Sequence, residues 1–208
     1  MDSKERILEV ALELFLTKGY ENTSMRLLAE TVGLTKPGIY HHFPGGKENL
    51  ALEVVSLFES RVTEWLKSKA PERSKPLEFL SFFFRAIPVF AHIETVILGK
   101  EPSSAHQKGF NELASSLADD NPQFRERIAT IFAETRSNLT KVIRSGIEKG
   151  EIESNLDPEA LAWMIHSIAE GMGTIAHFDE SIDLTRISEQ MLNQFLGLVT
   201  VKTQEGEK

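Results

Sequence analysis

Cysteine is absent from this sequence. That excludes a disulfide scaffold, a zinc–thiolate centre and a thiol nucleophile, and it fits a reducing cytoplasm. No stretch approaches the ~20 apolar residues that a membrane-spanning helix needs. The polar opening Met1-Asp2-Ser3-Lys4-Glu5-Arg6 lacks the profile of a secretory leader, so a cytoplasmic protein is expected. Catalytic motifs are missing as well. There is no Gly-x-Ser-x-Gly elbow, no His-Glu-x-x-His pair and no Gly-x-Gly-x-x-Gly after a strand, and no isolated acidic pair stands in an apolar setting. No enzyme activity, cofactor or metal site is expected. No alternating strand pattern and no internal repeat is visible either.

Positive charge is also in deficit: the 208 residues carry a net charge of −8, which at first argues against a nucleic-acid partner. The distribution matters more. Within residues 22–47, Arg26, Lys36 and Lys47 face only Glu30, net +2, so the acid lies outside this segment. Charges beyond a Debye length of about 8 Å are screened, and a small basic face on an acidic body is compatible with DNA binding. With 41% apolar and 26% charged residues, the chain can bury a core and is not disordered.

What is present is helical periodicity. Ile7, Val10, Ala11, Leu14 and Phe15 recur at helical spacing after Ser3, a candidate N-cap, and Gly19 supplies a stop. Thr23 or Ser24 caps a short helix through Leu28 and Val32, closed by Gly33. Thr35 caps a third, with Pro37 in its first turn, where a missing N–H costs least. A longer helix runs from Leu50 to about Lys69. Residues 77–98 form the most aromatic part, with Pro88 as a kink or stop, and residues 99–108 read as a loop before a helix to about Ala118. Asn121-Pro122 and Asp157-Pro158 are matching helix starts, Asp183 begins the last helix, and the tail from Lys202 is expected to fray. The fold class is therefore all-α, with about nine helices.

Helix, glycine-bearing turn, helix over residues 24–43 is the tandem expected of a helix-turn-helix. Such a motif needs phosphate donors around it and short side chains at the start of its second helix. Thr23, Ser24 and Arg26 cluster where hydroxyls, a guanidinium and free helix N–H groups can meet a phosphate. Thr35, Lys36, Pro37 and Gly38 begin the second helix, Tyr40, His41 and His42 follow, and Lys47 can grip a phosphate from the other side. Competing chemistries fail on spacing. Adjacent histidines point about 100° apart on a helix and cannot share a metal. Gly45-Gly46-Lys47 has His41 where a phosphate-binding loop needs glycine, and Glu48 where it needs Ser or Thr.

The run TSMRLLAETVGLTKPGIYHHFPGGKENL resembles the DNA-binding segment of the TetR/AcrR transcriptional regulators. The likeness covers residues 3–55: an amphipathic first helix, Gly19-Tyr20, Thr23-Ser24, Ala29, Gly33, Tyr40-x-His42-Phe43 and Lys47-Glu48. In that family two residues usually separate the Phe from Lys-Glu. Here Pro44, Gly45 and Gly46 make three, a form similar to the LmrA/YxaF-like branch. The resemblance implies DNA contacts at Thr23, Ser24, Arg26, Thr35, Lys36, Tyr40, His42 and Lys47. It also implies a TetR-like division into residues 1–49, which bind DNA, and residues 50–208, which sense a small molecule and dimerise.

The second half matches the family only loosely, through SGIEKGEI and DPEALAWMIHSIAEGMG. Phe82, Phe83, Phe90, Trp163 and Phe178 are candidate linings of an effector cavity, against the plainer reading of a packed core. Helical glycines cost about 1 kcal/mol each relative to alanine, so Gly171 and Gly173 suggest close approach by another helix or room for a ligand. Met164, Ile168, Gly171, Met172 and Ile175, with Ile187, Met191, Phe195 and Leu198, are the candidate faces of a four-helix homodimer interface. The expected function is a ligand-responsive repressor, released from double-stranded, palindromic operator DNA by a small hydrophobic or aromatic effector. Two alternatives are an effector-independent DNA-binding protein and a helical ligand-binding protein with a vestigial helix-turn-helix.

Overall fold

Capping chemistry sets most of the helix boundaries in the computed structural model, which describes residues 2–99, 114–115, 117–119, 121–179 and 181–201. Its named helices are α1 (Ser3–Lys18), α2 (Met25–Val32), α3 (Lys36–His42), α4 (Gly46–Lys69), α5 (Pro76–Arg85), α6 (Ile87–Ala91) and α7 (Ile93–Leu98), then α8 (Pro122–Glu148), α9 (Pro158–Phe178) and α10 (Leu184–Val199). Residues 114–115 and 117–119 are helical too. Among the described residues, β pairing is confined to an isolated antiparallel bridge between Ile152 and Thr200. The chain is all-α.

Asn121 Oδ1 accepts from Gln123 and Phe124 N–H at 3.0 and 3.3 Å, and Asp157 Oδ1 from Glu159 and Ala160 N–H, both at 2.8 Å. Each is followed by proline, which forfeits an N–H that the first turn leaves free anyway. Three expected boundaries move, the first being the start of the long helix, which lies at Gly46 rather than Leu50. Ser3 lies inside α1, where Asp2 is the N-cap and its N–H donates to Glu5 Oε2 at 3.0 Å. The aromatic segment 77–98 is not one kinked helix but three short ones, and α5 ends at Arg85. Pro88 has no N–H for the carbonyl of Phe84 and its ring crowds that oxygen, so the break falls just before it. Residues 100–113, much of the expected loop and the helix after it, lie outside the described residues, as does the tail from Lys202.

Packing divides the chain into two compact units, Met1–Ser68 with His92–Ile128, and Lys69–Ala91 with Ala129–Lys208. In the first, α1 buries Ile7, Ala11 and Phe15, α2 buries Leu28 and Ala29, and Ile39 and Phe43 are fully covered. From α4, Leu50, Ala51, Val54 and Val55 join them. Arg61 of α4 ties this unit together. It donates to the Glu9 carboxylate of α1 and, at 3.0 Å, to the Ile97 carbonyl of α7.

The second unit has one apolar core. Leu80, Phe84, Ile87, Leu139, Ile143, Leu161, Ile165, Met172, Leu192 and Phe195 all belong to it, and the Phe84 and Phe195 rings lie 5.0 Å apart. Gly146 marks a close approach, because a Cβ there would come within 2.6 Å of Ile152 Cδ1 and 3.1 Å of Pro76 Cβ.

Candidate nucleic-acid interface

Two caps and a left-handed glycine build the tandem of α2 and α3. Ser24 Oγ accepts from Leu27 N–H at 3.1 Å and Thr35 Oγ1 from Gly38 N–H at 3.2 Å. Gly33 ends α2 at φ +78°, a conformation that costs other L-residues about 1–2 kcal/mol. Its N–H and that of Leu34 both return to the Ala29 carbonyl, at 3.0 and 2.9 Å. Ile39 and Phe43 are the buried anchors of α3. Their burial turns Thr35, Lys36, Pro37, Tyr40 and His41 to the surface, with His42 half-buried.

Arg26 is exposed on α2, and its nearest carboxylate is Glu30 at 3.7 Å. Exposed ion pairs of this kind hold the side chain by less than about 1 kcal/mol. Thr23 departs from the expected set. It is 1% exposed and its hydroxyl donates to the carbonyls of Gly19 and Leu14 at 2.9 and 3.3 Å. Of the two adjacent hydroxyls, Ser24 caps the helix and stays at the surface, while Thr23 closes the turn from within.

The Phe-Pro-Gly-Gly-Lys insert is a tight turn. Gly46 N–H bonds to the Phe43 carbonyl at 2.9 Å, and Gly46 has φ +72°. α4 begins there, so Lys47 sits in its first turn. Its Nζ lies 3.8 Å from the centroid of the Tyr20 ring. Burial pushes the Lys47 ammonium below the ordinary lysine range, and nearby Glu21 partly restores it. Burial also raises the Tyr20 phenol, with Glu48 and Glu21 adding to the effect. Sequence reading singled out Lys47 as a contact and Tyr20 only as part of the family's Gly19-Tyr20 pair, because their partnership is made by the fold. His41 and His42 touch edge to face with ring centroids 5.5 Å apart, and no group of three or more metal-binding side chains occurs among the described residues.

The second-half candidates are not brought together as one lining. Phe83 and Phe90 meet at 5.5 Å, and Phe82 is half-buried. Trp163, however, is half exposed and lies under the Arg136 guanidinium at 4.0 Å, while Phe178 is 82% exposed. Those two face outward because α9 turns Ile165, Ala169 and Met172 to the core instead. Depressions of about 290 Å³ (Arg61, Glu64, Trp65, Ser68, Val96, Ile97) and about 570 Å³ (Ser56, Glu59, Ser60, Thr63, Glu64, Lys67, Arg127) lie in the first unit and use none of the five aromatics.

The expected interface set divides likewise. Met172 and Phe195 are in the subunit's own core, whereas Met164, Ile175 and Leu198 are about half exposed and Ile168, Ile187 and Met191 are partly so. Among the described residues, an added Cβ at Gly171 meets nothing within 4 Å, and at Gly173 only ordinary contact with Ala91 Cα at 3.8 Å. Tight packing inside the subunit therefore does not account for either glycine.

Residues 7–54 match the model of the bacterial regulatory proteins of the tetR family, and residues 110–192 match the tetracyclin repressor-like C-terminal domain. The chain is 30% identical to the uncharacterized HTH-type transcriptional regulator YxaF of Bacillus subtilis over 164 residues, covering 72% of this chain and 83% of that one. The chain belongs to the TetR family. It is a helix-turn-helix transcriptional regulator of the kind that includes the HTH-type transcriptional regulator LmrA of the same organism, 33% identical over 86 residues, 41% of this chain and 46% of that one. The TetR fold extends over the chain. A TetR transcriptional regulator from Chloroflexus aurantiacus superposes with a TM-score of 0.80 at 25% identity, covering 96% of this chain and 97% of that one.

Proposed function

We propose that this TetR-family regulator is a cytoplasmic, homodimeric repressor rather than an enzyme, and that a small effector releases it from palindromic operator DNA. The carrying observation is the exposed row of Ser24, Arg26, Thr35, Lys36, Tyr40 and His41 on the surface of α2 and α3, with Lys47 beside it. Residues 1–49 form the DNA-binding part, and α3 enters the major groove. Lys36, Pro37 and Gly38 at its start meet base edges. Ser24, Arg26, Thr35, Tyr40, His42 and Lys47 hold phosphates. Thr23 acts only from inside, by shaping the turn.

Residues 50–208 carry the second copy and the effector. Met164, Ile175 and Leu198, about half exposed, with the partly buried Ile168, Ile187 and Met191 and the open Gly171, present an apolar face that the subunit covers only in part. Two copies of α9 and α10 packed about a two-fold axis cover it. The half-buried phenylalanines Phe82, Phe83 and Phe90 favour an apolar or aromatic effector. Release requires that the effector bind one arrangement of the dimer more tightly than the other. Arg61 is placed to carry that difference to α1, since one guanidinium engages both α7 and α1.

The test is equilibrium binding of the full chain to duplex DNA from its own upstream region. Submicromolar, sequence-selective affinity that falls steeply with salt is expected. Absence of selectivity would remove the regulator reading of α3.

A further inference from the structure

Cations around the N-terminal helices differ in what holds them. Lys4 pairs with Glu53 at 2.7 Å, Arg61 with Glu9, and Arg26 lies near Glu30. Lys47 forms no ion pair among the described residues, although Glu48 follows it in the chain and Glu21 is close enough to act on it. An aromatic face takes the place of a carboxylate, with Nζ 3.8 Å from the Tyr20 centroid.

That ring is itself held. Gly19 N–H bonds to the Phe15 carbonyl at 3.0 Å, and the Tyr20 carbonyl accepts from Thr23 N–H at 3.0 Å. The Tyr20 ring stands edge-on to the buried Phe15 ring at 5.4 Å. α1 and its closing turn thus present a rigid face to the first turn of α4.

Electrostatics give this contact a direction. A cation in the first turn of a helix sits at the positive end of the helix dipole, where anions are favoured. The site holds Lys47 through the ring quadrupole, with Glu21 acting only from a distance, so no contacting carboxylate neutralises the ammonium. An incoming phosphate supplies the missing charge and meets free N–H groups of α4 at the same place. A lysine already held against a ring also loses less side-chain freedom on binding than one moving free in solvent.

We propose that Tyr20 is a positioning residue for DNA binding: its ring holds the Lys47 ammonium at the start of α4 in the geometry that grips a backbone phosphate. This rests on the reading of Lys47 as a phosphate contact, and the test keeps the two apart. The full-length dimer is titrated onto its upstream duplex and onto a scrambled duplex across a range of salt. Lys47→Ala is expected to weaken both duplexes alike and to reduce the salt slope by about one. Tyr20→Leu is expected to weaken both by roughly three- to tenfold, and Tyr20→Phe, which keeps the ring face, to restore binding. In the Lys47→Ala background Tyr20→Leu is expected to add nothing.

Should Tyr20→Leu fail to fold by circular dichroism, mono-, di- and trifluorinated phenylalanine at position 20 keep the shape and weaken the ring face stepwise. Affinity is then expected to fall along the series with Lys47 present and to stay level in Lys47→Ala. No effect of Lys47→Ala on affinity or slope would overturn the phosphate reading. A full effect of Lys47→Ala with none from Tyr20→Leu or the fluorinated series, or an equal Tyr20 effect in both backgrounds, would overturn the positioning role alone.

Discussion

The α2–α3 tandem and the α9–α10 pair use opposite strategies. The tandem makes its surface from consecutive residues: Thr35 caps, Ile39 and Phe43 anchor, and the residues between them face out. The α9–α10 pair makes its surface from residues scattered over two helices, and the same periodicity serves both its core and its uncovered face. Ile165, Ala169 and Met172 point inward, Ile168 packs partly against them, and Met164 and Ile175 stay about half exposed. A local site tolerates change in its surroundings; a dispersed one depends on the packing beneath it.

Five variants sharpen this contrast. Phe84→Ala should act most strongly. It empties a fully buried position against Phe195, and a loss of about 3–5 kcal/mol is expected, read as a shift in the urea midpoint. Leu34→Ala on the turn before α3, where Leu34 is 37% exposed, should stay within about 0.5 kcal/mol in the same assay.

Charging the uncovered face comes next. Met164→Glu combined with Ile175→Glu should give a folded monomer by sedimentation. Operator affinity should fall on the order of a hundredfold as two linked half-site contacts become one. Unchanged dimer mass would show that this face is not the interface.

Lys36→Ala should cost about 1–3 kcal/mol at the preferred operator and less elsewhere, so that the ranking of operator variants changes in competition binding. A uniform loss across all variants would move Lys36 from base reader to phosphate contact. Weaker than Lys36→Ala is Gly46→Ala. Its φ of +72° predicts about 1 kcal/mol of destabilisation by thermal melting, with sequence preference unchanged.

These differences in range also explain what the sequence disclosed. Thr35 with Pro37, Asn121 with Pro122 and Asp157 with Pro158 were legible because a cap, its proline and the N–H it accepts from lie within three residues. The choice between Thr23 and Ser24 was not. Either hydroxyl could cap, and only the packing of α1 against the turn buries the first and exposes the second. Tyr20 lies in the turn after α1 and Lys47 in the first turn of α4, so no spacing rule links them. Trp163 and Phe178 show the limit of composition: large aromatics suggest a lining, yet their register on α9 carries both outward. The apolar stripes of α9 and α10 were visible, but which residues serve the core and which stay uncovered was decided by their neighbours. Met172 and Phe195 therefore fell on the inner side.

The central claim is that α3 reads a major groove and that two copies do so together. Selection of duplexes from a random pool by the full chain, followed by sequencing, tests it most directly. The account predicts an inverted repeat whose half-sites lie about 10 base pairs apart, centre to centre, or a multiple of that spacing. An unselected pool, or a single half-site with no symmetric partner, would contradict it.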